Sequence, residues 1–191
     1  MNEIVIASGN KGKIKEAQEI LQEFKVISME EAGIEIDVEE DRDTFSGNAT
    51  KKAEEIAKLL NGKMCLADDS GIEIEYLDGF PGVFTKRWHE GTDRERNLNI
   101  IEKLKGVPKE KRKITFTTAM AISNGKETFC EIGQIEGFVA EKERGENGFG
   151  FDEIFELENG KTLAEISQEE KNTISARKIA LEKLKQKLLE M

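Results

Sequence analysis

Two adjacent carboxylates, Asp68 and Asp69, followed by Ser70 and Gly71, are the residues of this chain with the plainest capacity for chemistry. Carboxylates set side by side supply hard oxygen ligands for a divalent cation such as magnesium, and a phosphate substrate completes the coordination of such an ion. The pattern therefore admits metal-assisted phosphate chemistry. It equally admits an Asx turn, because Asp, Ser and Gly are ordinary turn formers. The run Met64-Cys65-Leu66-Ala67 reads as a buried strand and Ile72-Glu73-Ile74-Glu75-Tyr76 as a half-exposed one, so the pair is expected where a strand ends. Neighbouring side chains on extended backbone point to opposite faces, and a kink at Gly71 is expected to bring both to one cleft.

A second constellation lies near the start of the chain. Ile4 to Ala7 read as a strand, Ser8-Gly9-Asn10-Lys11-Gly12-Lys13 as a turn, and Ile14, Ala17, Ile20, Leu21 and Phe24 as the apolar face of a helix. Backbone N–H groups at a helix start favour an anion, and Lys13 adds a positive charge. Gly12-Lys13 is followed by Ile14, so the Gly-Lys-Ser/Thr ending of a nucleotide-binding P-loop is missing, and a simple turn is the competing reading.

The elements that must position these groups follow in order. Lys25 to Ser28 form a strand, and the acidic stretch Glu30 to Asp43 reads as a solvated edge. Thr44 caps a helix with apolar positions Phe45, Ala49, Ala53, Ile56, Ala57 and Leu60, stopped at Asn61-Gly62; it carries Lys51 and Lys52, either of which can face phosphate or water. Leu77 to Gly82 make a tight turn, and Asn97 to Leu104 a short helix. Ile114 to Ser123 and Glu127 to Val139 form a hairpin around a two-residue Asn124-Gly125 turn. In Gly145 to Asp152, glycines surround Phe149 and Phe151, rings that either stack on a planar ligand or fill the core. One last helix, capped by Ser167, carries Lys171 and Arg177 and runs through Ile174, Ile179, Leu181, Leu184 and Leu188. The lone His89 reads as a surface or partner-contacting residue.

Length and charge narrow the function classes. A chain of 191 residues suits a single domain over 1–191 with a sizeable core. With 29 Lys plus Arg against 39 Asp plus Glu, the net charge of -10 argues against a nucleic-acid polymer or an anionic membrane as partner. No basic head, long apolar leader or membrane-length span is present, so a cytoplasmic protein is expected. Cys65 and Cys130 fall in strands without metal-ligand spacing and read as buried free thiols.

Five separated stretches together resemble the inosine triphosphate pyrophosphatase (HAM1-like) family. They are Ser8 to Lys13; Thr44-Phe45 with Asn48-Ala49 and Lys52-Ala53; Asp68-Asp69-Ser70-Gly71; Phe80-Pro81-Gly82-Val83; and Gly148-Phe149-Gly150-Phe151-Asp152 with Glu169-Glu170-Lys171 and Ile174-Ser175. The resemblance spans nearly the whole chain. It implies an α/β fold, an elongated mixed sheet with flanking helices in two lobes around a central cleft, and usually a homodimer. It implies magnesium-dependent hydrolysis of noncanonical purine nucleoside triphosphates such as ITP, dITP and XTP, by water attack at the α-phosphorus, to monophosphate and pyrophosphate. Glu40, Asp68 and Asp69 would surround magnesium, with Asp69 the proton acceptor. Ser8, Gly9, Asn10, Lys11, Gly12, Lys13, Lys52 and Ser70 would hold the triphosphate. Phe151, Asp152, Glu153, Ile154, Lys171, Ala176 and Arg177 would form the nucleotide pocket, with Phe151 stacked on the purine. Arg177 suits a 6-keto acceptor and disfavours the 6-amino group of adenine. The chain departs from the family pattern at Ala176 (usually His), Gly47 (usually Glu) and Glu153 (usually Pro). The competing expectations are a nucleotide-binding regulatory module and a pyrophosphatase for other modified nucleotides.

Overall fold

Residues 3–190 are described by a computed structural model. The chain runs β1 (Glu3–Ile6), α1 (Lys11–Ile20), β2 (Lys25–Ser28), α2 (Phe45–Ala57), β3 (Met64–Ile74), β4 (Phe80–Pro81), α3 (Asp93–Lys103), β5 (Lys113–Ser123), β6 (Thr128–Val139), β7 (Phe155–Glu156), α4 (Gln168–Ile174) and α5 (Ala176–Glu190). The strands make one mixed sheet in the order β2-β1-β3-β5-β6-β7, with β4 paired to β3, which is the expected α/β class. β1 is parallel to both β2 and β3, while β4 on β3 and β7 on β6 are antiparallel.

Two compact units divide the chain, and the long strands β3, β5 and β6 contribute residues to both. The first comprises residues 3–70, Thr117–Gln134 and 175–190. Its core gathers Ile4, Ile6, Leu21, Leu66, Met120 and Leu184. Because β2 and β3 flank β1 on opposite sides, right-handed crossovers put α1 and α2 on opposite faces of these strands. α5 packs beside α1. Gly133 on β6 allows a close approach to α5, since a Cβ there would fall 2.0 Å from the Ala176 carbonyl oxygen.

The second unit comprises Gly71–Phe116 and Ile135–Ile174, around Ile72, Ile74, Ile100, Leu104, Phe155 and Leu163. Its helix α3 starts at Asp93, four positions before the expected Asn97. The first turn carries no apolar stripe and is set instead by the capping box between Thr92 and Glu95.

Three expectations are corrected. Asp68 to Gly71 form no turn at a strand end but lie inside the continuous strand β3. Parallel pairing with β1 up to Leu66 and the neighbouring β5 hold the segment extended, and its buried polar groups find side-chain partners there. The single last helix is two helices. They break at Ser175, whose Oγ accepts from the Lys178 N–H and starts α5 afresh. In the β5–β6 hairpin only Gly125 has positive φ (83°); Asn124 contributes its side chain, which accepts from the Lys126 and Glu127 N–H groups. Both cysteines are free, as expected, although Cys130 is only half-buried. Among the described residues no helix is long and apolar enough to cross a membrane.

Candidate active site

Side-chain alternation along β3 gives Asp68 and Ser70 one face of the strand and Asp69 the other. On the first face Asp68, 1% exposed, accepts three hydrogen bonds, all on Oδ2: from Lys13 Nζ of α1 at 2.6 Å, from Arg177 Nη2 of α5 at 2.9 Å and from Ser70 Oγ at 3.1 Å. Arg177 Nη1 donates in turn to Glu16 Oε2 at 3.1 Å. Burial alone would raise the Asp68 pKa, but the charges of Lys13 and Arg177 overcome it and hold the carboxyl well below its ordinary range.

Asp69 meets a different environment. Asn48 Nδ2 of α2 donates to its Oδ2 at 2.9 Å. Burial first, and then the nearby charge of Glu40, push its pKa up from 3.8 to about 6, against the Asn48 hydrogen bond and the charges of Lys52 and Lys13. Lys52, on α2, donates to Glu40 and, at 3.1 Å, to the Asp68 carbonyl oxygen. Its own pKa, opposed by burial, is raised by the charges of Asp68, Glu40 and Asp69.

Further groups of the expected phosphate loop divide between two surroundings. Asn10 caps α1, its Oδ1 accepting from the N–H groups of Gly12 (2.9 Å) and Lys13 (3.3 Å), while Ser8 Oγ accepts from the Asn10 N–H. Two of the helix-start donors thus already have an internal acceptor. Ser8, Gly9 and Lys11 line a pocket of about 750 Å³ together with Ile14, Val26 and Met29. The Lys13 ammonium joins Asp68 instead. Gly47, the departure on α2, has no room to spare: a Cβ there would lie 2.9 Å from Arg42 Cβ and 3.0 Å from Thr44 Oγ1.

The remaining candidates belong to the second unit, apart from Ala176, which is buried at the start of α5 beside Arg177. Lys171 Nζ of α4 donates to Asp152 Oδ2 at 2.6 Å and lies 4.3 Å from the centre of the Phe149 ring. Asp152 Oδ2 also accepts from the Phe149 N–H at 2.8 Å. Phe151 and Ile154 lie in the core cluster, so most of the Phe151 ring surface is used for packing, whereas Phe149 is half-buried. Glu153 has a raised pKa, through burial and then the neighbouring Glu143 carboxylate.

Sequence reasoning missed Glu16, Thr118 and the role of Asn48. Glu16 shares the buried face of α1 with Lys13 and Ala17, and charged residues placed in an apolar stripe were the available signal. Among the described residues no group of three or more His, Cys, Asp or Glu side chains stands together as a metal cluster.

The sequence model of the Ham1 family matches residues 4–187. A dITP/XTP pyrophosphatase of Bacillus subtilis is 46% identical, covering 100% of this chain and 98% of its own length. One from Clostridium perfringens is 42% identical over 98% of each chain. Among solved structures, the Ham1 protein of Staphylococcus aureus aligns with a TM-score of 0.85 at 38% identity, covering 99% of this chain and 98% of its own. A HAM1 protein of Coxiella burnetii gives 0.86 at 39% identity with full coverage of both.

Proposed function

The chain belongs to the Ham1 family, and on that premise we propose that it is a magnesium-dependent pyrophosphatase that converts noncanonical purine nucleoside triphosphates (ITP, dITP, XTP) to the monophosphate and pyrophosphate. The substrate class is supported by relatives named dITP/XTP pyrophosphatase at 46% and 42% identity over nearly their whole length. The observation that carries the mechanism is the division of labour between Asp68 and Asp69. One carboxylate is neutralised by two cations; the other has a proton affinity raised to about 6. A base with a pKa near the working pH both exists in its ionised form and pulls a proton effectively, so Asp69 is the group that accepts the proton of the attacking water.

The charge balance points to the metal. Lys13, Lys52 and Arg177 stand against Glu16, Glu40, Asp68 and Asp69, so these groups leave no positive surplus. A triphosphate brings about four negative charges. The carboxylates of Glu40 and Asp69, whose mutual repulsion shows in the raised Asp69 pKa, are hard oxygen donors of the kind magnesium takes, whereas Asp68 lies on the opposite face of β3 with Lys13 and Arg177. Glu40 and Asp69 would hold the ion, which would supply neutralisation of charge developing on the phosphate oxygens. Lys13 and Lys52 are assigned the triphosphate together with the Ser8–Lys13 turn. Base recognition is assigned, on the family resemblance alone, to Phe151 as the stacking ring and to Arg177 as the donor suited to a 6-keto oxygen. A homodimer and a cytoplasmic location complete the proposal, on the family resemblance.

The test is release of pyrophosphate from ITP, XTP, dITP, GTP and ATP with magnesium, beside a chelator control. Metal-dependent turnover confined to the first three supports the reading. Turnover of all five rejects the specificity, and no turnover rejects the enzyme.

A further inference from the structure

Thr118 sits on β5, fully buried, in a run that continues Ala119, Met120, Ala121 and Ile122, all at 0% exposure. Burying a hydroxyl is costly unless it is hydrogen-bonded, and valine would fill the same volume without that cost. The partner of Thr118 Oγ1 is Ser70 Oγ at 3.1 Å, and Ser70 Oγ stands a further 3.1 Å from Asp68 Oδ2.

Proton accounting gives this chain a direction. Asp68 is held ionised by Lys13 and Arg177 and can only accept. Ser70 has a single hydroxyl proton, which must go to Asp68. Its oxygen then accepts, and Thr118 is the donor. The order is Thr118 to Ser70 to Asp68, with each hydroxyl direction set by the acceptor ahead of it. The Ser70 hydroxyl proton is therefore committed to Asp68 and is not available to a phosphate oxygen.

We propose that Thr118 is a positioning residue for hydrolysis: through Ser70 it fixes the Asp68 carboxylate, and with it the Lys13 ammonium and the Arg177 guanidinium. The proposal rests on the pyrophosphatase reading above. Removing the Thr118 hydroxyl takes away the contact that locates the Ser70 oxygen, so Ser70 holds the Asp68 carboxylate less firmly and alignment of the cations is lost while their charge remains.

The experiment compares Thr118→Val and Thr118→Ser, each alone and in a Ser70→Ala background, by kcat and KM for ITP and by thermal melting. For Thr118→Val we expect kcat about fivefold lower, the weight of one neutral hydrogen bond, with KM and melting temperature near wild type. Thr118→Ser restores kcat. In the Ser70→Ala background Thr118→Val has no further effect, because the two act as one unit. A wild-type kcat in Thr118→Val, failure of Thr118→Ser to rescue, or an undiminished Thr118→Val effect without Ser70 overturns the proposal. Absence of turnover in the wild type overturns the pyrophosphatase reading and this proposal with it; the other outcomes overturn the proposal alone.

Discussion

On one face of β3, Asp68 is enclosed by Lys13, Arg177 and Ser70 and its proton affinity falls; on the other, Asp69 has one neutral donor, Asn48, a nearby Glu40, and a proton affinity that rises. The residue type is the same, the sequence separation is one position, and both are buried. What differs is the helix behind each face: α1 and α5 bring cations to Asp68, whereas α2 brings an amide to Asp69. The comparison teaches that desolvation is shared and the sign of the net shift is set by the partner charge. A paired carboxylate is held ionised, and an underpaired one keeps its proton to higher pH.

The comparison can be broken most severely at the base. Asp69→Asn should retain nucleotide binding and lose turnover by roughly 10³-fold, within the range for a general base; near-normal pyrophosphate release would remove Asp69 from that role. Next in size is Asp68→Asn, which leaves Lys13 and Arg177 buried without their shared carboxylate and should cost about 3–5 kcal/mol of folding stability. Chemical denaturation at neutral pH measures it, and a loss below 1 kcal/mol would show that the network holds little together.

The third prediction uses pH. The folded-state pKa of Asp69 lies above its ordinary value, so its contribution to stability is full at low pH and lost as pH rises through about 6. Metal-free Asp69→Asn should therefore be more stable than wild type at pH 8, by about 2–3 kcal/mol for a shift of about two pH units, with the difference shrinking towards pH 4. Asp68, with its depressed pKa, has the opposite dependence: its contribution is present above its ordinary value of 3.8 and is lost as pH falls below it. Parallel pH profiles for the two sites would refute the contrast. The smallest expected effect is Ala176→His. A donor restored beside Arg177 should raise the ITP to ATP ratio of kcat/KM by about tenfold at most, the weight of one hydrogen bond; an unchanged ratio would make the alanine neutral.

Legibility in the sequence followed the range of the interaction. The strand over Lys25–Ser28, the Thr44 cap and the β5–β6 pair depend on local periodicity and capping, and the structure has them where the sequence puts them. The start of α3 and the break at Ser175 are set by cap chemistry, at Thr92 with Glu95 and at Ser175, and apolar spacing does not mark them. Phe151 shows a limit of another kind: aromatic type and spacing admit both a stacking ring and a core ring, and its burial in the core cluster is decided by packing.

By itself, then, the sequence determined the α/β class, the family and the inventory of acids and bases, since strand and helix periods, caps and motif order are properties of neighbouring residues. Which acid is held ionised and which gains proton affinity is a property of the tertiary structure alone. The Lys13, Arg177 and Glu16 groups that hold Asp68, and the Asn48 and Glu40 groups that face Asp69, come from segments 21 to 161 positions apart where a hydrogen bond joins them. The electrostatic field at a buried carboxylate depends on distance in space, which residue spacing along the chain does not encode.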